Sequence, residues 1–253
     1  MQLTAQQINF FETFGYLKLP QAFKNDLAWI DREFEQVFVD RGIVHDGTKR
    51  SVIVPFVDQR EKLCGLLDHP VVLNAAKSLL DPDFNYVGSD GNYYSGDTVW
   101  HRDSSQAHLH GKYLKMAFYL DPVGKENGAL RVIPGSHRVD IPYWNEVKPE
   151  KSQELWGIKP CEVPVQILNS EPGDLLIFNH SILHASFGGS KSRRMFTLNL
   201  CRHASTEEEM NELEHYVRGH NCCLHSELMR NTANTERMKH LQQVIEVETL
   251  QPA

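Results

Sequence analysis

The stretch Trp100-His101-Arg102-Asp103 sets an imidazole and a carboxylate two positions apart, and His184 follows much later in the chain. On an extended strand such a pair points to one side. His101 and Asp103 could therefore take neighbouring positions around one metal ion, with His184 brought in from another strand. Three ligands on one triangular face of an octahedron leave the opposite face open, as in the facial triad of non-haem Fe(II) oxygenases. In a chain with 13 histidines a lone His-x-Asp says little by itself. Its context adds weight. His101 closes a strand-like segment, and Arg193 opens another shortly after His184, where a guanidinium could grip a carboxylate through both nitrogens. Ser186, two positions past His184, would add a hydroxyl on the same face.

Such residues need a rigid frame, and from Phe84 onward short β-branched and aromatic stretches alternate with Gly, Pro and Asn. The pattern predicts strands at 84–88, 91–95, 98–102, 113–121, 129–133, 163–168, 174–179 and 194–202. Glu126-Asn127-Gly128 supplies a tight turn, because Asn-Gly readily takes positive φ. Pro134-Gly135-Ser136 and Pro172-Gly173-Asp174 are further breaks. Roughly eight short strands at this spacing point to a sandwich or barrel.

Helices flank this core. Thr4 and Gln7 form a capping box ahead of Ile8, Phe11 and Phe14 on one face, and Gly15 closes that helix before a strand at 16–19. Leu27, Ile30, Phe34 and Phe38 mark a second helix over about 25–39. A loop with a short strand fills 41–58, and helical pieces follow near 59–67 and 70–80. In the tail, Ser205 with Glu208 reads as another capping box, starting a helix that runs to about Gly219, and a further helix is expected over about 223–248. No repeat or low-complexity linker divides the chain. The expectation is one domain over 1–253: a mostly helical flank at 1–83, a β core at 84–202 and a helical tail at 203–253.

The 253 residues carry a net charge of −7 without a long basic run, which argues against nucleic acid or an anionic membrane as partner. No apolar run approaches the ~18 residues of a membrane span, and the first residues lack the pattern of a signal peptide. Cys64, Cys161, Cys201, Cys222 and Cys223 are odd in number and form no Cys-x-x-Cys pair, so reduced thiols in a cytoplasmic protein are expected.

Four blocks together resemble the phytanoyl-CoA dioxygenase family. They are Trp100-His101-Arg102-Asp103, the run from Glu126-Asn127-Gly128 to Pro134-Gly135-Ser136-His137, Gly173-Asp174-Leu175-Leu176-Ile177-Phe178, and His184-Ala185-Ser186 ahead of Arg193. Phe14-Gly15-Tyr16 is similar to the family's opening, so the likeness spans about 8–202 and leaves out the tail. The resemblance implies a mainly β, double-stranded β-helix (jelly-roll, cupin-like) core with Fe(II) as metal and 2-oxoglutarate as co-substrate. It makes His101, Asp103 and His184 the iron ligands and catalytic centre, Arg193 the partner of the distal 2-oxoglutarate carboxylate, and Ser186 a donor to it. Arg194 competes for the arginine role, and only one of two strand neighbours can face inward. Some relatives replace the carboxylate ligand and transfer chlorine. With Asp103 in place, hydroxylation, demethylation or another oxidative outcome is expected here.

The implied activity is oxidation of a small polar metabolite or natural-product intermediate, with that substrate, 2-oxoglutarate and oxygen as the partners. A long acyl-CoA is disfavoured, since no basic cluster suits its phosphates. Substrate-selecting loops are sought at 44–58 (His45, Lys49, Arg50, Phe56), at 91–98 (Asn92, Tyr93, Tyr94) and at 140–160 (Tyr143, Trp144, Trp156), the last either a lid or a surface loop. His180 is a competitor of His184, His108 and His110 could touch substrate, and His137 reads as structural. His203, His215, His220 and His225 are expected in solvated positions. Two rival readings remain: a cupin-like metal enzyme that does not use 2-oxoglutarate, and a non-catalytic barrel that binds.

Overall fold

A computed structural model describes residues 2–103, 109–219 and 225–249; His108, His220, Cys222 and Cys223 lie outside them. The chain opens with α1 (Ala5–Phe14), β1 (Tyr16–Leu19), α2 (Leu27–Asp40), β2 (Ser51–Ile53), α3 (Glu61–Cys64) and α4 (Pro70–Leu79). The β-rich part follows as β3 (Asn85–Tyr94), β4 (Thr98–His101), β5 (Tyr113–Tyr119) and β6 (Leu130–Val132). After the short helices α5 (Tyr143–Glu146) and α6 (Ser152–Trp156) come β7 (Gln166–Leu168), β8 (Leu175–Asn179), β9 (His184–Ser186) and β10 (Arg193–Cys201). The tail holds α7 (Glu207–Gly219), α8 (Glu227–Asn231) and α9 (Thr235–Thr249).

Two antiparallel sheets face each other, a larger one in the order β1-β8-β5-β10-β3-β2 and a smaller one in the order β4-β9-β6-β7. This is a jelly-roll core with flanking helices. Side-chain alternation divides the large sheet's labour. On its outer face Leu114, Met116 and Phe118 of β5 and Phe196, Leu198 and Leu200 of β10 join Phe34, Phe38, Phe56 and Leu67 of the helical flank in one core. On its inner face Lys115, Ala117 and Tyr119 alternate with them, as do Arg193, Met195 and Thr197, and these line a cavity between the sheets. β1 and β2, from before residue 84, edge the large sheet on either side.

The expected strands at 84–88 and 91–95 are one strand, β3. Gly91 sits there for packing rather than for a turn: a Cβ would lie 2.0 Å from the Phe56 ring. The capping box of α1 is present, with Gln7 N–H donating to Thr4 Oγ1 at 3.2 Å and Thr4 N–H to Gln7 Oε1 at 2.9 Å. Gly15 ends the helix at φ 79°, and the His137 ring, whose Nε2 meets the Glu12 carbonyl at 3.1 Å, fills the space its Cβ would need. His137 is thus structural.

The tail departs from expectation in three places. Its capping box is Thr206 with Glu209, one residue later than the Ser205 and Glu208 pair, because Glu209 N–H reaches Thr206 Oγ1 while its carboxylate accepts from the Ser205 and Thr206 amides. The long final helix is two helices, parted at 232–234. His225 is buried rather than solvated, stacked on Tyr86 with Nε2 at 3.0 Å from the Tyr86 carbonyl. Leu213, Tyr216 and Val217 of α7 and Val244 and Val247 of α9 pack on Val87 and Tyr113 of the chain's own sheet. Among the described residues no helix is long and apolar enough to cross a membrane.

Candidate metal centre

β4 and β9 pair antiparallel with His101 opposite His184 and Thr98 opposite Ser186, so two residues of β4 lie opposite one of β9. This bulge turns Thr98 and His101 alike toward the cavity and sends Trp100 outward, where its indole N–H donates to the Pro160 carbonyl at 2.8 Å. Asp103 stands just past the end of β4, and its backbone N–H donates to the His180 carbonyl at 3.0 Å. One donor atom each from His101, Asp103 and His184 lies within 4.8 Å of the others. Asp103 Oδ1 is 4.0 Å from His101 Nε2 and 3.7 Å from His184 Nε2.

Both imidazoles are oriented the same way. His101 Nδ1 meets the Val99 carbonyl at 2.8 Å and His184 Nδ1 meets the Ile182 carbonyl at 3.0 Å. A carbonyl accepts only from N–H, so the proton sits on Nδ1 and the Nε2 lone pairs face Asp103, which is how histidine ligands are prepared for a metal. Burial pushes His184 down to about 4, against the pull of Asp103, which keeps its Nε2 free of a proton at neutral pH. Burial also works against the Asp103 charge, yet the Lys115 ammonium outweighs it and holds the carboxyl well below the usual range. The side chain of His101 is 37% exposed, against 12% for Asp103 and 6% for His184, so the centre is reached from the His101 side.

The cavity has a volume of about 70 Å³, and Arg193 lies on its wall. The Arg193 guanidinium sits 5.0 Å from the centre of the Tyr94 ring, and its Nε and Nη1 are buried without a hydrogen-bond partner among the described residues. A buried guanidinium in that condition fits an incoming carboxylate. Arg194 points the other way and is spent on Asp121, Asp31 and Glu35. Ser186 lines the cavity and donates to the Gly128 carbonyl at 2.8 Å. Gly128 holds φ 94°, and a Cβ there would stand 1.5 Å from Arg193 Nη1.

The loop residues sort differently from expectation. Tyr94 lines the cavity with Asp90, and Arg50 stacks 4.5 Å above the Tyr94 ring while donating to Asn92. Phe56 is core, and Tyr93 faces away to bond Glu35. His45 stacks on Tyr93 outside the cavity. The segment 140–160 contributes no described residue to the cavity wall. Its far end and the residues after it, Pro160 and Val163 among them, lie against Trp100 on the outer face of the small sheet. His180 is buried beside Tyr113 and Tyr216 and is not among the three clustered donors. Lys115, Asp90, Tyr119 and Thr197 line the site and escaped the sequence reading. The available signal was a charged residue at an inward position of a strand that otherwise reads apolar, as in Tyr113-Leu114-Lys115-Met116-Ala117.

A jelly roll carrying an open-faced set of two imidazoles and one carboxylate is the architecture of mononuclear non-haem oxygenases. The sequence profile of the phytanoyl-CoA dioxygenase (PhyH) family matches residues 11–195, and the chain belongs to that family. It is accordingly an oxidoreductase of the Fe(II)- and 2-oxoglutarate-dependent dioxygenase class. Among solved structures, HygX from Streptomyces hygroscopicus with iron bound superposes with a TM-score of 0.64 at 16% identity, over 82% of this chain and 90% of that one. The non-haem alpha-ketoglutarate-dependent carbocyclase SnoK from nogalamycin biosynthesis gives 0.62 at 17%, over 79% and 84%. Iron-bound EctD from S. alaskensis gives 0.62 at 22%, over 79% and 77%. These similarities speak for the fold. No curated protein matches the sequence.

Proposed function

We propose that His101, Asp103 and His184 hold the iron, that Arg193 and Ser186 hold the far carboxylate of 2-oxoglutarate, and that the enzyme oxidises a small polar metabolite or natural-product intermediate. The observation that carries the reading is the Arg193 guanidinium, whose Nε and Nη1 have no hydrogen-bond partner among the described residues, buried in the same cavity that the three metal-facing donors line. When bound, iron and 2-oxoglutarate supply the oxidising power for attack by oxygen on a substrate C–H bond. The protein's share is placement. The two Nδ1–H contacts fix the imidazoles, Arg193 sets the co-substrate's direction, and the Ser186 hydroxyl, which donates to the Gly128 carbonyl in this structure, turns to donate to the carboxylate when 2-oxoglutarate is bound.

Asp90, Lys115, Thr98, Thr197 and Tyr94 give the cavity a hydrogen-bonding wall suited to a polar substrate. Solved structures of similar fold include HygX with nickel and 2-oxoglutarate and EctD with 2-oxoglutarate and 5-hydroxyectoine, in line with small polar ligands. Flank, core and tail act as one domain in this reading, since β1, β2 and the tail helices are built onto the same sheet. Cytoplasmic residence fits Cys64 and Cys201 as buried free thiols.

The test is an anaerobic titration of Fe(II) and 2-oxoglutarate, followed by visible absorbance, on wild type and Arg193→Ala. A charge-transfer band that needs both components and weakens at least about tenfold in apparent 2-oxoglutarate affinity in the variant is expected, because a charged pair is lost. Iron binding without any band in either protein would favour a cupin-like enzyme that does not use 2-oxoglutarate. No iron binding at all would favour the non-catalytic barrel.

A further inference from the structure

We propose that Lys115 is a positioning residue with a counter-ion role: it holds Asp103 in the metal-free protein and opposes the metal, and so sets how tightly the centre grips its ion. This rests on the reading of His101, Asp103 and His184 as ligands. Lys115 projects from β5 into the cavity with a side chain only 16% exposed, and its Nζ lies 2.9 Å from Asp103 Oδ1. That oxygen is the one 3.7 Å and 4.0 Å from the two imidazole Nε2 atoms. Asp103 Oδ2 is buried and has no hydrogen-bond partner among the described residues. The ammonium therefore carries the compensation of a buried carboxylate, through the oxygen the metal needs.

Two consequences have the same sign. Without metal, the ion pair keeps a buried carboxylate from standing alone, the situation in which removing one partner is most damaging. With a divalent ion between the three donors, two cations crowd one oxygen, and like charges a few ångströms apart in a partly buried site repel strongly. Lys115 thus favours the metal-free centre and disfavours the loaded one. Asp90, whose carboxylate Thr197 and Asn92 hold, adds negative charge nearby that keeps Lys115 an ammonium. With that competitor at the ligating oxygen, this centre should exchange its metal more readily than its donor set alone implies.

The experiment compares wild type, Lys115→Met, Lys115→Arg and the double variant Lys115→Met/Asp103→Asn. Mn(II) binding is followed by loss of the free-ion EPR signal, and thermal midpoints are taken after chelation. Lys115→Met is expected to bind Mn(II) at least about tenfold tighter, because repulsion and competition both vanish. Its chelated form should melt about 5 °C or more below wild type, since the carboxylate is left uncompensated. Lys115→Arg should keep wild-type affinity, and the double variant should regain most of the lost midpoint. Equal or weaker Mn(II) binding by Lys115→Met overturns the proposal. Should that variant fail to fold, recovery in the double variant upholds the pairing and its absence overturns it. His184→Ala serves as the control: wild-type Mn(II) affinity in that variant overturns the ligand reading beneath this one.

Discussion

Gly128 shows how much of a site can hang on a residue with no side chain. Its carbonyl takes the Ser186 hydroxyl, and the space where a Cβ would stand is filled by Arg193 Nη1. Gly128→Ala would combine strain at φ 94°, costing about 1–3 kcal/mol, with displacement of the guanidinium. The expected result is a lower thermal midpoint together with a weaker 2-oxoglutarate band, whereas strain alone would move only the midpoint. Asn127-Gly128 was legible as a turn, but its second duty was not, because only the fold shows that the Arg193 guanidinium comes to rest there. The choice between Arg193 and Arg194 was half legible. Alternation says that one of them faces inward, and the partners of Arg194 on α2 and after β5 decide which. Lys115 was hidden by context, since a lysine within an apolar stretch is ordinarily a snorkelling edge residue.

At the scale of elements, the strands that carry the donors were found where their sequences are regular and missed where they are not. β4 was expected at 98–102 and is found at Thr98–His101, though its bulge was not legible, whereas β9 is three residues long and offers too little alternation to be recognised from pattern alone. β3 was cut in two because glycine reads as punctuation, although Gly91 is there to admit the Phe56 ring. The segment 140–160 was open between lid and surface loop. Arg102, set between two of the proposed ligands, reaches outward to the Ser136 and Trp144 carbonyls and ties β4 to that segment from the far side of the small sheet. The start of α7 gives a direct test of capping. Thr206→Ala removes the hydroxyl that accepts from Glu209 N–H, and should lower stability by about 1 kcal/mol, or about 2–4 °C in midpoint. Ser205→Ala, at the position favoured by the sequence pattern, should leave the midpoint within about 0.5 kcal/mol of wild type.

For the molecule as a whole, the tail matters through the polar groups it buries against the large sheet. His225, ahead of α8, lies under Tyr86 of β3, and its backbone N–H donates to Glu248 of α9 at 3.0 Å. Burial pushes this histidine down to about 4 in the folded chain, while unfolding returns it to its ordinary value. Between about pH 6.5 and pH 4 the unfolded state therefore binds a proton that the folded state refuses, and stability falls as pH drops through that window. The slope is about 1.4 kcal/mol per pH unit for one such group. Asp58, bonded to Tyr86 and the Ser226 amide, and Glu248 are both raised by burial, and they act in the opposite sense, gaining stability as they take up protons in the fold. The diagnostic quantity is accordingly a difference rather than the total slope. In denaturant titrations of chelated protein from pH 7 to pH 4.5, wild type should lose stability more steeply than His225→Gln, by close to one proton's worth. Parallel curves would mean that His225 accepts its proton without leaving the fold, and that the tail is not held to the sheet by a neutral imidazole.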